Sequence, residues 1–312
     1  PLANTRDNLT GTWSVAQVPE KYATLREAMQ EAIEGKAELL YAQGSNICYD
    51  EAIQRAGEFG KAIPRVDDAQ ALREALAVAR QADVIVAALG ESADMSGECA
   101  SRSFIGIPDA QRDLLRALVA TGKPVVLLNF AGRATELSWE SAHVPAILNV
   151  WFGGSEAGHA ICDVLFGAAN PSGRLPVSMP YATGQEPLYY NALPTGRPVR
   201  ENQREFVKYS SNWIDVPNGA LYPFGYGLSY TTFAYGKPSL SSPVLAPGGK
   251  ATLSVTVTNQ GDRDGHEVVQ LYIHDKVATI SRPRKELRGF QRVFLKAGES
   301  KTVTFELTQD LM

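Results

Sequence analysis

The chain has 312 residues, 44% of them apolar and 21% charged, which is ordinary for a folded globular protein and excludes disordered and fibrous classes. Its net charge is −4 and its Lys and Arg residues form no block, so electrostatics favour neither nucleic acid nor an anionic membrane as a partner. The longest apolar stretches, such as Asp83–Leu89 and Pro124–Phe130, are far shorter than the roughly 20 residues that cross a bilayer.

From Tyr22 to about Pro180, helical and strand patterns alternate, which predicts an α/β layer with a mostly parallel sheet. The first predicted helix begins at Thr24, which forms a capping-box pattern with Glu27. Its apolar face repeats at Leu25, Met29 and Ile33. A short strand is predicted next, over Glu38–Ala42.

A second helix opens at Asp67 and Gln70 and leads into the uninterrupted apolar run Asp83–Leu89, which predicts a strand buried on both faces. The apolar stripe predicted for this helix comprises Leu72, Leu76 and Ala79. The cycle repeats with a helix over Asp109–Thr121, strands over Pro124–Phe130 and Pro145–Val150, and a helix over Ser155–Phe166. Together these elements predict a doubly wound, mostly parallel sheet, an α/β sandwich, over residues 1–180.

The remainder of the chain changes character twice. Residues 181–235 are rich in Pro, Gly, Asn and aromatic residues, which predicts an irregular connection packed on its neighbours rather than a free linker. Residues 236–312 show the alternation of β-strands, over Lys250–Asn259, Glu267–His274 and Lys301–Leu307. Such short strands suggest an immunoglobulin-like or fibronectin type III sandwich, and because about 100 residues are usual for one, we expect this module to be truncated.

The loop Gly90–Pro108 is the first place to look for chemistry, because ligands of doubly wound sheets bind beyond the carboxyl ends of the strands. It is long and acidic, with Glu91, Asp94 and Glu98 followed by Arg102, and it is a candidate acid/base site. A structural interpretation competes with this one, in which Glu91 stabilises the strand end and Glu98 forms an ion pair with Arg102.

Sequence patterns typical of nucleotide binding, of a serine nucleophile and of a metal site are absent. The chain has no GxGxxG or GxxxxGK[ST] segment for a nucleotide and no GxSxG elbow for a serine nucleophile. Cys48, Cys99 and Cys162 form no CxxC pair and have no His at ligand spacing, so neither a disulfide framework nor a metal site is indicated.

Four long segments are similar to the most characteristic stretches of the family 3 glycoside hydrolases, particularly the periplasmic β-glucosidases of Gram-negative bacteria. They are GESADMSGECASRSFIGIPDAQRDLL (90–115), VWFGGSEAGHAICDVLFGAANPSGRLPVSMP (150–180), NALPTGRP (191–198) and NGALYPFGYGLSYTTF (218–233). The resemblance runs along essentially the whole chain. It implies a periplasmic or secreted protein and an assembly of a (β/α)₈ barrel, an α/β sandwich and a fibronectin-like module.

By this resemblance, PLANTRDNLTGTWS (1–14) looks like the segment just after the first strand of the sandwich, so we expect the barrel and that strand to be absent. The family's aspartate nucleophile lies on the barrel. This portion is therefore expected to supply the general acid/base to its own N-terminal barrel, to be inactive alone, and to need no metal or organic cofactor.

The family places its acid/base in segments resembling E-G-[FY]-D-R followed by Leu-Pro. Aligning that pattern puts Glu98 at the glutamate and Arg102, a candidate for substrate binding, at the arginine. Cys99-Ala100-Ser101 departs from the pattern, and Glu91 is the rival for the acid/base role.

The expected reaction is retaining hydrolysis of terminal, non-reducing β-D-glucosyl residues from β-linked gluco-oligosaccharides or aryl β-glucosides. The alternatives are a β-xylosidase or another exo-glycosidase of the same family, and a non-catalytic sugar-binding or docking module.

Overall fold

The computed structural model describes residues 1–14, 18–57, 63–200, 203 and 205–311. The chain divides into two compact units. Unit 1 comprises Pro1–Ala168 with Pro180–Glu186, and unit 2 comprises Ala169–Met179 with Pro187–Met312. The segment 181–235, predicted as one connection, is therefore shared between the two units.

Unit 1 contains a parallel sheet with helices, as the alternating pattern predicted. Its helices are α1 (Leu25–Ala32), α2 (Glu51–Ala56), α3 (Asp68–Gln81), α4 (Asp109–Val119), α5 (Ser138–His143) and α6 (Ala157–Leu165). Its strands are β1 (Ile85–Gly90), β2 (Val125–Phe130) and β3 (Ala146–Asn149), in the spatial order β1-β2-β3. The pairing is parallel throughout, with Gly90 opposite Phe130 at the carboxyl ends of β1 and β2. The α/β half of the predicted fold class is thus confirmed.

Local capping follows the sequence closely. The capping box of α1 is present, because Thr24 Oγ1 accepts from Glu27 N at 3.0 Å and Glu27 Oε2 accepts from Thr24 N at 2.8 Å. Asp67 caps α3 through a 2.8 Å bond from Gln70 N. The buried stripe of α3 differs from the prediction, since it is formed by Ala71, Ala75 and Ala79 while Leu72 and Leu76 are half-buried. Small side chains let this helix lie close to its neighbours.

The strand predicted over Glu38–Ala42 is wrong. The segment has no regular secondary structure and belongs to no strand in the described part of the chain. A cavity of about 130 Å³ is lined by residues 40–44 on one side and by Ile85–Leu89 of β1 on another. Paired strands lie about 4.8 Å apart, so a segment across a cavity from β1 cannot form ladder hydrogen bonds with it.

Unit 2 is built on antiparallel strands. They are β4 (Phe233–Tyr235), β5 (Ser239–Leu240), β6 (Ala251–Asn259), β7 (Gly265–Ile273), β8 (Glu286–Leu295) and β9 (Ser300–Leu307). One sheet joins β4, β5 and β9 to β6, and a second pairs β7 with β8. The three predicted strands are confirmed as β6, β7 and β9. Strand β8 was not predicted; its alternation is interrupted at Gly289, and its pairing with β7 shifts register between Leu271 and Tyr272.

Some aromatic residues of the irregular segment stack on other rings, and others are exposed. Within unit 2, Tyr190 stacks on Phe224 with ring centroids 4.0 Å apart and meets Tyr272 edge-on at 6.2 Å. Tyr189 and Trp213 remain 66% and 40% exposed. The aromatic residues of this segment thus include both stacked and largely exposed rings.

A buried ion pair is expected to stabilise unit 2. Glu267 is 8% exposed and accepts from Arg174 Nη2 at 2.6 Å and from Tyr235 OH at 2.7 Å. Glu267→Ala should lower the free energy of opening of β7 by about 3 kcal/mol, because a buried cation loses its partner. Native-state hydrogen exchange of the β7 amides measures this. The control is Glu306→Ala, which breaks an exposed pair with Lys250 and should cost less than about 1 kcal/mol; equal losses would contradict the prediction.

A surface histidine makes the stability of unit 1 depend on pH. His159 of α6 lies 3.0 Å from Glu31 Oε2 of α1 and 3.5 Å from Glu156, and hydrogen bonding to Glu31 raises the pKa of His159. A raised folded-state pKa stabilises the fold fully below the unfolded value of about 6.5, and the effect is lost as pH rises through the folded value. His159→Gln should therefore lower the Tm at about pH 5.5 and converge with the wild type by about pH 9. A Tm difference independent of pH would contradict this.

Candidate active site

The candidate loop starts where β1 ends, at a position that requires glycine. Gly90 has φ of +133°, and a Cβ added there would lie 2.0 Å from the Phe130 carbonyl oxygen. Glu91 N donates to that same oxygen at 2.8 Å. The backbones at the ends of β1 and β2 therefore lie too close together for a side chain at residue 90.

Two buried amides hold the start of the loop. Gln111 of α4 accepts from Gly90 N at 2.9 Å and donates to the carbonyls of Gly90 and Ile47, each at 2.8 Å. Asn8 accepts from Ala93 N at 2.7 Å. Both side chains are fully buried, and sequence reasoning missed both. A polar residue on the core face of α4 was the available signal for Gln111.

Glu91 is fully buried and lies between two guanidinium groups. Its Oε1 accepts from Arg102 Nη1 at 2.8 Å and lies 2.9 Å from Arg133 Nε, and its Oε2 accepts from Gly132 N at 3.3 Å. Arg102 therefore contacts Glu91 rather than Glu98. Sequence reasoning missed Arg133, whose signal was its place just beyond the carboxyl end of β2, next to that of β1.

Glu98 lies at the tip of the loop with its side chain exposed. It sits in a turn closed by a 3.4 Å bond from Ala100 N to the Gly97 carbonyl. Cys99 occupies the i+2 position with φ of +59°, where glycine or asparagine is usual. The turn thus presents a carboxylate to solvent on a strained backbone. Asp94, also named in the sequence analysis, is half-buried in the 3₁₀ turn Ala93–Met95.

Arg133 also reaches the backbone of this loop. Its Nη2 donates to the carbonyl oxygens of Met95 and Ala100, the latter at 2.7 Å. The two carbonyls flank Glu98 in sequence. One guanidinium therefore contacts the buried Glu91 carboxylate and the backbone on both sides of Glu98, at Met95 and Ala100, which are the two arms of the exposed turn.

The arrangement separates the two candidate carboxylates by environment. A buried glutamate held by two arginines is suited to a structural role, whereas an exposed glutamate on a supported turn can exchange a proton with a bound molecule. Among the described residues, no group of three or more His, Cys, Asp and Glu side chains is placed to hold a metal ion. No helix in the described ranges is long and apolar enough to span a membrane.

Comparison with known families gives two matches. Residues 1–230 match the glycosyl hydrolase family 3 C-terminal domain, and residues 267–312 match the fibronectin type III-like domain. The second match confirms the predicted type of the β-module. Both halves of the predicted fold class are therefore present.

Relatives and solved structures agree with these matches. The chain is 48% identical over 311 residues to a periplasmic beta-glucosidase of Salmonella typhimurium, covering 98% of this chain and 40% of the relative. It is 34% identical over 293 residues to a beta-xylosidase of Formosa agariphila, covering 94% and 37%. The crystal structure of a beta-glucosidase from Listeria innocua in complex with glucose superposes with a TM-score of 0.83 at 38% identity, covering 100% of this chain and 40% of that one. The chain thus spans about two fifths of the length of these proteins.

Gly132 is expected to be essential for the position of the loop. A Cβ at this residue would lie 1.9 Å from Ser96 Oγ and 2.9 Å from Phe152 Cε2. Gly132→Ala should displace the loop, speed hydrogen exchange over residues 95–102 and cost about 1–3 kcal/mol of stability through overpacking. Gly184→Ala is the matched control, because no atom lies within 4 Å of its added Cβ. Unchanged exchange in Gly132→Ala would refute the steric argument.

Proposed function

The chain belongs to the glycosyl hydrolase family 3 C-terminal domain family, and from this we propose that it forms the C-terminal part of a retaining, exo-acting β-glucosidase and contributes the general acid/base, Glu98. The proposed substrates are β-linked gluco-oligosaccharides or aryl β-glucosides with terminal, non-reducing β-D-glucosyl residues. A periplasmic or secreted location is proposed from the relative named as a periplasmic beta-glucosidase.

The observation that carries the assignment is the contrast between the two glutamates of one loop. Glu98 is exposed at the loop tip, beyond the carboxyl edge of the parallel sheet. Glu91 is enclosed by Arg102, Arg133 and the Gly132 amide. A general acid/base must reach the glycosidic oxygen, and this access supports Glu98 over Glu91.

The chemistry needs two carboxylates with different duties. In a retaining glycosidase one forms a glycosyl-enzyme, and the other, about 5–5.5 Å away, first protonates the leaving oxygen and then activates water. We propose that Glu98 is the second and that an aspartate on an N-terminal barrel is the first. A general acid must hold its proton at the moment of cleavage.

Arg102 is proposed to contact substrate. Its Nη1 is bound to Glu91 while the side chain remains 18% exposed. The exposed edge would donate to a sugar hydroxyl, and the ion pair would fix the orientation of the guanidinium.

A β-xylosidase is the second candidate, favoured by the 34% identity to the beta-xylosidase of Formosa agariphila. The ratio of kcat/KM for aryl β-glucoside and aryl β-xyloside, measured on the full-length protein, separates the two. A non-catalytic sugar-binding module is the third, and binding of cellobiose by this chain alone in isothermal titration would favour it.

The 312-residue chain by itself is expected not to hydrolyse aryl β-glucosides. General acid catalysis contributes typically 10²–10⁴-fold and cannot replace a nucleophile that lies on another part of the protein. The measurement is release of aryl alcohol by rigorously purified chain. Turnover that a Glu98→Gln substitution abolishes would refute this expectation.

In the full-length protein, Glu98→Gln should slow hydrolysis of substrates with poor leaving groups by about 10²–10⁴-fold, because their departing oxygen needs a proton. Activated aryl glucosides should suffer less in the first step. Their glycosyl-enzyme should then accumulate, and azide should relieve the block because it attacks without a base.

Glu91→Gln and Asp94→Asn are the comparison variants, since each also replaces a carboxylate with an amide in the same loop. Asp94→Asn should show no azide rescue, and Glu91→Gln should show at most the partial rescue expected when the loop loses its anchor. The assay is a leaving-group series on all three variants with and without azide. Rescue in Glu91→Gln but not in Glu98→Gln would move the acid/base to Glu91.

A further inference from the structure

We infer that Arg133 is a positioning residue for Glu98: anchored by the buried Glu91, its guanidinium clamps the two arms of the turn that carries the exposed carboxylate. The inference rests on the proposed acid/base role of Glu98. In this inference, a residue that follows β2 holds the conformation of the loop that follows β1.

The sheet topology places Glu91 and Arg133 close together. Strands β1 and β2 are parallel neighbours with Gly90 opposite Phe130, so Glu91 and Arg133, which follow them, emerge side by side at the same edge. Arg133 Nε lies 2.9 Å from Glu91 Oε1. Glu91 N is itself bound to the Phe130 carbonyl, which fixes the anchor to the sheet.

The clamp closes across the turn. Arg133 Nη2 donates to the Met95 carbonyl, three residues before Glu98, and to the Ala100 carbonyl, two residues after it, at 2.7 Å. Motion of either arm away from the other must break one of these bonds.

The turn needs such an external tie. Its own closing bond, from Ala100 N to the Gly97 carbonyl, is long at 3.4 Å. Cys99 adopts φ of +59°, a left-handed conformation that residues other than glycine and asparagine disfavour. A backbone of this kind persists when its surroundings hold it, and the Arg133 bonds supply that restraint.

Arginine is the side chain that can do both jobs. Its guanidinium lies with Nε 2.9 Å from Glu91 Oε1 as an ion pair and donates from Nη2 to the two carbonyls at the same time, whereas the compact ammonium of lysine can occupy one of these places. Arg102 shares the Glu91 anchor and balances its buried charge. Arg133→Lys should therefore keep a positive charge near Glu91 and release the turn.

The test is made on the full-length protein. Arg133→Lys should slow poor-leaving-group substrates by about 10²-fold with little change in their KM, as expected for a misplaced catalytic group, and should affect activated aryl glucosides less. Azide should restore part of the lost turnover of the activated substrates. Hydrogen exchange over residues 95–102 should accelerate while β1 remains protected.

Arg6→Lys is the matched control, because Arg6 likewise binds one carboxylate, Glu27, and one carbonyl, Tyr22, elsewhere in the same unit. It should leave the leaving-group profile unchanged. Arg133→Gln is the second variant, which can still donate to a carbonyl but cannot pair with Glu91.

A uniform loss for all substrates in Arg133→Lys, or a wild-type profile with unchanged loop exchange, would overturn the inference. Loss of β1 protection in both Arg133 variants would also overturn it, since it would make Arg133 a folding residue. Glu98→Gln, assayed in parallel, separates failure of the proposed function from failure of the inference about Arg133. If it lacks leaving-group dependence and azide rescue, the proposed function fails, while faster loop exchange in Arg133→Lys would still show that the clamp holds the turn.

Discussion

A carboxylate enclosed by protein at the end of a parallel strand is the constraint around which the candidate site is built. Removing the Glu91 charge from water is costly, and the cost is offset because Arg102 and Arg133 both lie within 3 Å of one of its oxygens. Each arginine comes from a different stretch of chain. The ion cluster therefore ties the loop after β1 to the segment after β2, and the geometry of the exposed turn depends on that tie.

Backbone packing makes this cluster possible. Gly90 and Gly132 lie where an added Cβ would meet the Phe130 carbonyl and the Ser96 hydroxyl, at 2.0 and 1.9 Å. Their absent side chains let the two strand ends and the loop approach within hydrogen-bonding distance. The buried Gln111 completes the junction by binding both the amide and the carbonyl of Gly90. A rigid sheet edge thus supports a loop whose tip remains exposed, an arrangement suited to binding and catalysis.

The two glutamates illustrate how environment divides roles between identical side chains seven residues apart. Glu91 is buried between two cations, which suits the structural role proposed for it, while Glu98 is exposed to solvent, as the proposed acid/base role requires. Unit 2 also contains a buried glutamate, Glu267, which accepts hydrogen bonds from Arg174 and Tyr235. No exposed glutamate of a neighbouring turn is proposed to act with it. A buried ion pair by itself therefore marks a support, and a functional assignment needs accessibility as well.

Local patterns in the sequence determined much of the fold. Periodicity predicted β1, β2, β3 and the helices α1, α3, α4 and α6, and Thr24 with Glu27 predicted a capping box that is present, because these signals depend on residues within a few positions of one another. The short helices α2 and α5 were not predicted. The loop after β1 and both candidate glutamates were likewise identified from the chain alone. The similarity to family 3 glycoside hydrolases was also identified from the sequence motifs.

Tertiary structure decided which of these groups meet. The Arg133 partnership with Glu91 spans 42 positions, and no local pattern encodes a contact at that separation. Residues 38–42 form no ladder with any of the described strands, while β8 forms because β7 pairs with it despite an irregular pattern. Strands and ion pairs are completed by distant residues, so the sequence specifies the candidates and the folded chain selects their partners.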